Sequence, residues 1–226
     1  ENSREYEMRD SSGYSIPHSP DRLDMIYSMK SQNTLSSNRL EGYVQDTYRF
    51  STGTERQTLY TLNFGVRFSH WSFNKETVVS PRMSLAIIPA FNQDITFRLA
   101  TGIYYQTPFF KELRDTTTAN GATTVTLNEK IKSQRSIHFV AAFDYKFKMK
   151  ERPYKFTAEA YYKALGNIIP YNVNNVKITY YNGNQCSGYS AGIDIKLYGE
   201  FVPGTDSWVT FSLMSTKLKM NGMWVP

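Results

Sequence analysis

Three polar side chains in the middle of the sequence are of the types that perform acid–base or metal chemistry. His138, Asp144 and Glu159 could donate protons, accept protons or bind a metal. They lie at alternate positions of extended segments, on a polar face that they share with several cations. Mutual charge pairing on a wet surface is therefore the favoured interpretation. The cations on that face are Arg67, Arg82, Arg98 and Lys155.

Other residues that could carry chemistry are sparse. No spacing of histidine, carboxylate and nucleophile recurs that would suggest catalysis, and His18 and His70 have no metal-ligand partner nearby in the sequence. The single cysteine, Cys186, excludes an intrachain disulfide and a cysteine-based zinc site. No glycine-rich phosphate loop is present. We therefore expect no catalytic residue, no metal site and no cofactor.

The segment from Tyr104 to Asp115 (YYQTPFFKELRD) is the best candidate for a ligand-binding loop. Aromatic side chains with a few charges can hold both the apolar body and the polar groups of a ligand. The competing interpretation is that its two phenylalanines pack the loop against the rim of the fold. The candidate ligand-binding residues are Tyr104, Phe109, Phe110, Lys111 and Arg114.

The hairpin from Ser136 to Tyr162 shows which elements position these residues. Its two arms alternate strictly between apolar and polar side chains, and this period of two indicates strands. A short polar turn that contains Pro153 makes the pair antiparallel. The apolar face could be the core of a soluble two-sheet module whose charged face meets water. It could also be the lipid-facing side of an outer-membrane barrel whose charged face lines a lumen.

The number and length of such strands favour the barrel. We predict about eight strands of roughly 10 to 13 residues, longer than the ~5–6 of ordinary globular strands and close to the ~9–11 that cross a bilayer. Short connections alternate with long ones, as periplasmic turns alternate with extracellular loops. The predicted strands are 39–50, 60–69, 79–87, 95–103, 136–147, 154–163, 189–197 and 209–216. The short connections are 51–57, 89–94, 148–153 and 199–206, and the long ones are 70–78, 106–134 and 164–187, the last with a strand predicted at 177–181.

Aromatic residues at the strand ends fit the interfacial girdles of such a barrel. The residues before the first predicted strand, 1–38, are polar and are expected to form an extracellular loop or leader segment, with a short helix or strand at 23–29. Residues 39–226 would form a partial barrel domain, and the final MNGMWVP is expected to begin a further loop. The girdle residues are Phe50, Tyr60, Tyr105, Phe147, Tyr154, Tyr162 and Tyr189, with Trp71 and Trp208 at or near strand ends.

Composition excludes other classes. In the 226 residues, apolar runs are far shorter than the ~20 residues of a membrane-spanning helix. The net charge of +6 could indicate nucleic-acid binding. The cations are scattered over turns and strand faces instead of forming a stripe, so no nucleic-acid partner is expected.

Several segments resemble the barrel domain of TonB-dependent outer-membrane receptors, most closely those of the Bacteroides and Porphyromonas group. The similarity runs in order over residues 37 to 226. The segments are RLEGYVQDTYRF (39–50), LNFGVRFSHWSF (62–73), VSPRMSLAIIP (79–89), ITFRLATGIYYQTPFFKEL (95–113), ALGNIIPYNVNNVKITYYN (164–182), GYSAGIDIKLYGEFVPGTDSW (188–208) and FSLMSTKLKMNGMW (211–224).

This resemblance implies an all-β, antiparallel transmembrane β-barrel of roughly 22 strands. It implies a plug domain inside the barrel, location in the bacterial outer membrane and import of a siderophore, haem, cobalamin or glycan driven by the TonB complex. The chain carries no plug domain, TonB box or final strands, so it is expected to be a middle section of about eight strands. Its expected partners are outer-membrane lipid, its own plug and missing strands, the TonB complex through an N-terminal part outside this chain, and a surface lipoprotein.

Two alternatives remain open from the residues alone. The first is a complete small barrel of about eight strands, either an adhesin-like structural protein or a lipid-modifying enzyme. The second is the soluble two-sheet binding module.

Overall fold

The chain folds almost entirely into antiparallel strands. The computed structural model describes residues 2–10, 25–119, 122–174, 177–181 and 183–225. One 3-10 helix, Phe110–Leu113, lies between strands. The strands are β1 Asn2–Asp10, β2 Met25–Thr34, β3 Arg39–Thr52, β4 Thr58–Trp71, β5 Glu76–Ile88, β6 Ile95–Gln106, β7 Arg114–Ala119, β8 Ala122–Leu127, β9 Gln134–Met149, β10 Arg152–Ile168, β11 Tyr171–Asn174, β12 Lys177–Tyr180, β13 Cys186–Val202, β14 Thr205–Met220 and β15 Met223–Val225.

One large sheet organises the molecule. Its nine strands follow the order β3-β4-β5-β6-β9-β10-β13-β14-β15, and every neighbouring pair is antiparallel. β3 has a neighbour on one side only, and the other edge is formed by β14 with the short β15. Three separate hairpins, β1–β2, β7–β8 and β11–β12, complete the described strands. The described part of the sheet is therefore an open sheet that does not close on itself.

The eight predicted strands are confirmed, and each extends beyond its predicted bounds. They contain between 12 residues, in β6, and 17 residues, in β10 and β13. Polar residues at their ends continue the ladder, so alternation of apolarity alone places the ends too early. For this reason the prediction of a long connection at 70–78 was wrong. β4 runs to Trp71 and β5 starts at Glu76, so the connection is 72–75. The strand predicted at 177–181 is confirmed as β12.

Two regions near the ends of the chain differ from the prediction. MNGMWVP does not begin a loop: Asn221 and Gly222 form a tight turn with φ of 51° and 82°, and β15 returns along β14. Asn-Gly is the sequence that such a two-residue hairpin favours. Near the N-terminus, β2 extends to Thr34 and pairs with β1. Residues 23 and 24 of the predicted short element lie outside the described residues.

The sheet has one apolar face and one polar face, and the apolar face is uncovered. Val44 is 72% exposed and Leu213 is 60% exposed, although both lie on that face. Among the described elements, the strand pairs with more than slight contact are the hydrogen-bonded neighbours and the pair β2 and β8. The soluble two-sheet module needs a second sheet on the apolar face, and the described chain provides none there.

Aromatic rings line the apolar face near both ends of the strands. Near the short turns, the rings of Phe50 and Tyr60 stack at 4.7 Å and those of Phe147 and Tyr154 at 5.6 Å. At the other end, Tyr162 and Tyr189 stack at 6.0 Å. These belts are what a membrane interface requires of a barrel wall.

The two tryptophans assigned to the girdle do not belong to it. Trp71 pairs with Arg39 and Glu76 on the polar face and is 5% exposed, because loops cover it. Trp208 pairs with Tyr198 on the polar face, where the Lys196 ammonium lies 5.7 Å from its ring. Their places in the alternation decide the face, and both fall in register with polar neighbours. Among the described residues, none belongs to a helix long and apolar enough to span a membrane.

Candidate functional site

The polar face carries a closed charge cluster near the short-turn end. Asp144, on β9, accepts a hydrogen bond from Arg98 Nε at 2.8 Å through Oδ2. Its Oδ1 accepts one from Thr157 Oγ1 at 2.7 Å and lies 3.2 Å from the Lys155 ammonium. β6, β9 and β10 bring these side chains together because Thr96, Asp144 and Thr157 share one row of the ladder. Both carboxylate oxygens are occupied, so Asp144 has a structural role and the predicted charge pairing is confirmed for this residue.

Farther along the same face, an arginine, a tyrosine and a histidine form a stack. The Arg82 guanidinium lies 4.6 Å from the centroid of the Tyr104 ring. The Tyr104 and His138 rings are 4.3 Å apart. Gly102 sits between Arg82 and His138 in the ladder, and a Cβ there would lie 3.1 Å from Arg82 Cγ and 3.2 Å from Tyr104 Cε2. The missing side chain therefore makes room for the stack.

Two cations of this region have no carboxylate partner in the part of the chain that the structure describes. Arg82 contacts the Tyr104 ring, and the Lys163 ammonium lies 5.1 Å from the Tyr161 ring. Neither cation has an ion pair with a described residue. On the same face of β10, Glu159 lies four residues from Lys163 toward the short turns and pairs with Asp194 on β13. The charge pairing predicted for Arg82 and Glu159 is therefore wrong within the described chain. Toward the long loops, the polar face presents Arg82 and Lys163 beside aromatic rings with no carboxylate partner among the described residues.

A depression of about 820 Å³ extends over β3 to β6 beside this stack. Its polar lining includes Asn63, Arg67 and Arg82 together with Tyr43 and Tyr104. Arg67 is paired with Glu41 at 2.5 Å. The depression therefore combines one neutralised arginine with one that is open to a ligand.

The five predicted ligand residues fall into two groups. Tyr104 is not in the loop, because β6 continues to Gln106 and places it on the polar face. Phe109 precedes the 3-10 helix, Phe110 and Lys111 begin it, and Arg114 begins β7. Phe109 is 63% exposed, whereas Phe110 is half-buried, so the competing interpretation that both phenylalanines pack the loop against the rim does not hold for Phe109.

Leu113, which sequence analysis missed, anchors that loop. It is fully buried in a cluster with Trp71, Ile131 and Ile169. Glu112 fixes the turn before it by accepting hydrogen bonds from the Phe109 N–H at 2.7 Å and from Gln134 Nε2 at 3.3 Å. The signal in the sequence was one apolar residue among polar ones in KELRD, a pattern too short for periodicity to identify.

Polar contacts join the same loop to its neighbours. Glu76 Oε2, at the start of β5, accepts hydrogen bonds from the Ser133 N–H at 2.8 Å and from its hydroxyl at 2.6 Å. Asn184 accepts from the Lys132 N–H at 2.7 Å and donates to the Lys132 carbonyl at 2.8 Å. Asn184 also donates to the Asn167 carbonyl at 2.7 Å. The start of β5 and the end of β10 are thus joined to the described parts of connections 107–133 and 169–185 at one end of the sheet.

The described residues contain no group of three or more His, Cys, Asp or Glu side chains that could hold a metal ion. Cys186, predicted to lie in a loop, begins β13 and is buried. The arrangement supplies contacts for a ligand, namely cations, ring faces and exposed loop aromatics.

The chain is similar to one known protein family. The family model for the β-barrel of TonB-dependent receptor-like proteins matches residues 2–222. No curated protein and no solved structure matches the chain. The match spans nearly the whole chain, including the N-terminal residues before β3, and agrees with a sheet that is apolar on one face and polar on the other. The chain belongs to the TonB-dependent receptor-like β-barrels, a family of outer-membrane receptors and transporters that work with a plug domain and with TonB.

Proposed function

We propose that this chain is a section of the barrel wall of a bacterial outer-membrane transporter that imports a scarce nutrient with energy from TonB. The cargo classes are a siderophore, haem, cobalamin or a glycan. The complete barrel would have roughly 22 strands around a plug. The chain makes and breaks no bond in this function, and its source would be the Bacteroides and Porphyromonas group.

The open sheet is the observation that carries this proposal. A small closed barrel of about eight strands needs its first long strand to pair with its last. In the described structure β3 pairs with β4 alone, and β14 pairs with β13 and β15. Long unpaired edges are unstable within a bilayer because their N–H and C=O groups find no water. Further strands on both sides are the natural solution, and this favours the large barrel over the small one.

The polar face would line the passage for the cargo. The stack of Arg82 and Tyr104 and the Lys163–Tyr161 pair offer charge and ring faces to a passing ligand. On the loop, Phe109, Phe110, Lys111 and Arg114 would make the first contacts with the cargo from outside. Asp144 and its partners would keep the wall in shape.

The remaining assignments follow from the same architecture. Residues 1–38 would belong to an extracellular loop segment and 39–226 to the barrel proper. The partners would be outer-membrane lipid, the plug, the missing strands and the TonB complex, with a surface lipoprotein as a candidate at the loop end. No nucleic acid takes part.

An uptake experiment tests the function. A strain that lacks the complete receptor is supplied with radiolabelled ferric siderophore, haem, cobalamin or oligosaccharide, and uptake is compared with the complemented strain. We expect the loss of uptake of one cargo, restored by the receptor and abolished by dissipating the proton gradient. Unchanged uptake of all four, or recovery of the receptor in the aqueous fraction without detergent, would contradict the proposal.

A further inference from the structure

Three cations lie on the apolar face at the long-loop end of the sheet, where the strands otherwise present rings and aliphatic groups. Arg135, near the start of β9, pairs with Tyr105 on one side and Gly166 on the other. Lys217 on β14 pairs with Tyr189, and Lys219 pairs with Trp224. The alternation of side chains places all three on the same face as Phe139 and Leu213. We call these three residues the basic belt.

Aromatic side chains fill the space between the members of the basic belt. The Tyr162 ring stacks on Tyr189 at 6.0 Å, and Tyr189 meets Trp224 edge-on at 5.6 Å. The Arg135 guanidinium lies over Gly166, with Nη2 3.4 Å from the place a Cβ would take. Tyrosine and tryptophan of this kind prefer the headgroup level of a bilayer. The belt therefore sits where headgroups lie if the apolar face meets lipid.

No carboxylate among the described residues neutralises the charges of the basic belt. Arg135, Lys217 and Lys219 form no ion pair with any described residue, and all three are exposed. The opposite end of the same face differs. There, Phe147 and Tyr154 stack, and Arg152 is the cation on this face of the described β9, β10, β13 and β14. Positive charge is thus concentrated at one end of the apolar face.

The three cations of the basic belt lie too far apart to bind one small anion together, but each can bind the headgroup of a lipid. Arg135 and Lys219 are separated by β10 and β13, which is three strand spacings or roughly 14 Å. A single phosphate cannot bridge that distance. Long Lys and Arg stems can lie along the rings while their charged ends reach upward to headgroup level. Phosphate oxygens are strong acceptors for both kinds of cation.

We propose that the basic belt is a binding site for the phosphate groups of an anionic lipid in the leaflet at the long-loop end. The proposal rests on the membrane position given under Proposed function and adds a specific lipid to it. The Tyr162, Tyr189 and Trp224 rings contact the acyl–headgroup boundary, and the cations bind the phosphates. The occupant is the lipid itself, since the rings that flank the cations provide an apolar surface that free phosphate does not need.

The experiment uses the complete receptor in mild detergent with bisphosphorylated lipid A as the probe. Binding is measured by native mass spectrometry, and the same lipid stripped of its phosphates is measured in parallel. The test variant carries Arg135→Gln, Lys217→Gln and Lys219→Gln. The matched control carries Arg49→Gln, Lys146→Gln and Lys148→Gln, which remove equal charge from the polar face. Heat-modifiable gel mobility verifies that both variants are folded.

We expect the unmodified receptor to bind the phosphorylated lipid on the order of 100-fold more tightly than the stripped lipid, as three interfacial cations would give. The test variant should lose most of this preference, while the control and a variant with Lys217→Arg and Lys219→Arg should retain it. Equal loss in test and control, or an unchanged preference in the test variant, would overturn the proposal. Because binding is measured without transport, a failure here leaves the uptake result intact. Recovery of the receptor in aqueous buffer without detergent would instead contradict its location in the membrane, and with it the proposed function.

Discussion

The two ends of the polar face handle charge in opposite ways. Near the short turns, Asp144 is shared by Arg98, Lys155 and Thr157, and both of its oxygens are occupied. Toward the long loops, Arg82 and Lys163 rest against rings with no carboxylate partner among the described residues. Removing a shared carboxylate such as Asp144 is destabilising, because its cations are left without their counter-charge. Cations that carry no carboxylate partner can meet a ligand, and the proposed function assigns the first end to wall structure and the second to ligand contact.

The loops above the open end are themselves fixed. Leu113 and Ile131 are buried with Trp71, while Phe109 at the same loop is 63% exposed. The loop therefore has a buried anchor, Leu113, close to an exposed aromatic side chain, Phe109. This is the arrangement expected of a binding loop on a stable scaffold.

The largest expected effect comes from removing the base of the loop. Leu113→Ala in the complete receptor should lower the local opening free energy of residues 107–133 by about 2–4 kcal/mol, because it leaves a cavity in a closed cluster. Hydrogen exchange of these residues measures the change. Phe109→Ala is the control and should leave exchange unaltered; equal deprotection by both variants would mean that Leu113 is not the anchor.

The next effect concerns the closed end. Asp144→Asn should lower the free energy of unfolding by about 1–3 kcal/mol, since Arg98 and Lys155 lose their shared counter-charge but stay partly solvated. Denaturant unfolding in detergent measures it.

The control for this variant is Asp194→Asn. Asp194 faces Glu159 across β10 and β13, and directly opposed like charges destabilise a sheet. This variant should be neutral or slightly stabilising. If Asp194→Asn lowered the free energy of unfolding as much as Asp144→Asn, the loss at Asp144 could not be assigned to its contacts with Arg98, Lys155 and Thr157.

A smaller effect is expected at the stack of Arg82 and Tyr104. Gly102→Val should push Arg82 and Tyr104 apart and reduce cargo uptake roughly 10-fold, which corresponds to the loss of a cation–π contact and its ring partner. Valine suits a strand, so any loss of stability should come from this crowding and not from the backbone. Ala100→Val, one step along the same face of β6, is the control. Full uptake by the Gly102 variant would separate the stack from cargo binding.

The smallest effect is expected at the exposed pair of Arg67 and Glu41. Their side chains are 45% and 39% exposed, so Arg67→Ala should cost only about 0.2–1 kcal/mol of unfolding free energy. The difference should vanish in about 1 M salt, where the Debye length is near 3 Å. A loss comparable to that of Asp144→Asn would show that exposure does not separate the two pairs.

The sequence predicted the strands because alternation over many residues leaves little doubt about a sheet. The long β9–β10 hairpin and its register follow from the two faces of its arms. Trp71 and Trp208 were assigned to the wrong face of the sheet because tryptophan is a typical girdle residue. Their register with Glu76 and Tyr198 places them on the polar face.

The candidate site was harder to predict. The stack of Arg82, Tyr104 and His138 joins three strands that are far apart in sequence, and it depends on Gly102 having no side chain. Pairing of His138, Asp144 and Glu159 with cations was expected throughout, but only the position of Asp144 relative to Arg98 allows it among these three. Contacts of this kind depend on register between strands, which one sequence specifies only weakly for polar side chains.

In the proposed function, the polar face of this sheet lines a lumen and the apolar face meets lipid. Spin labels at successive positions of β9, from Phe139 to Phe143, in a Cys186→Ser background of the complete receptor test it directly. Collision with oxygen reports lipid, and collision with a water-soluble nickel complex reports aqueous exposure. We predict high oxygen accessibility at Phe139, Ala141 and Phe143 and low accessibility at Val140 and Ala142. Nickel accessibility at the first three positions, or no alternation along the strand, would contradict the account.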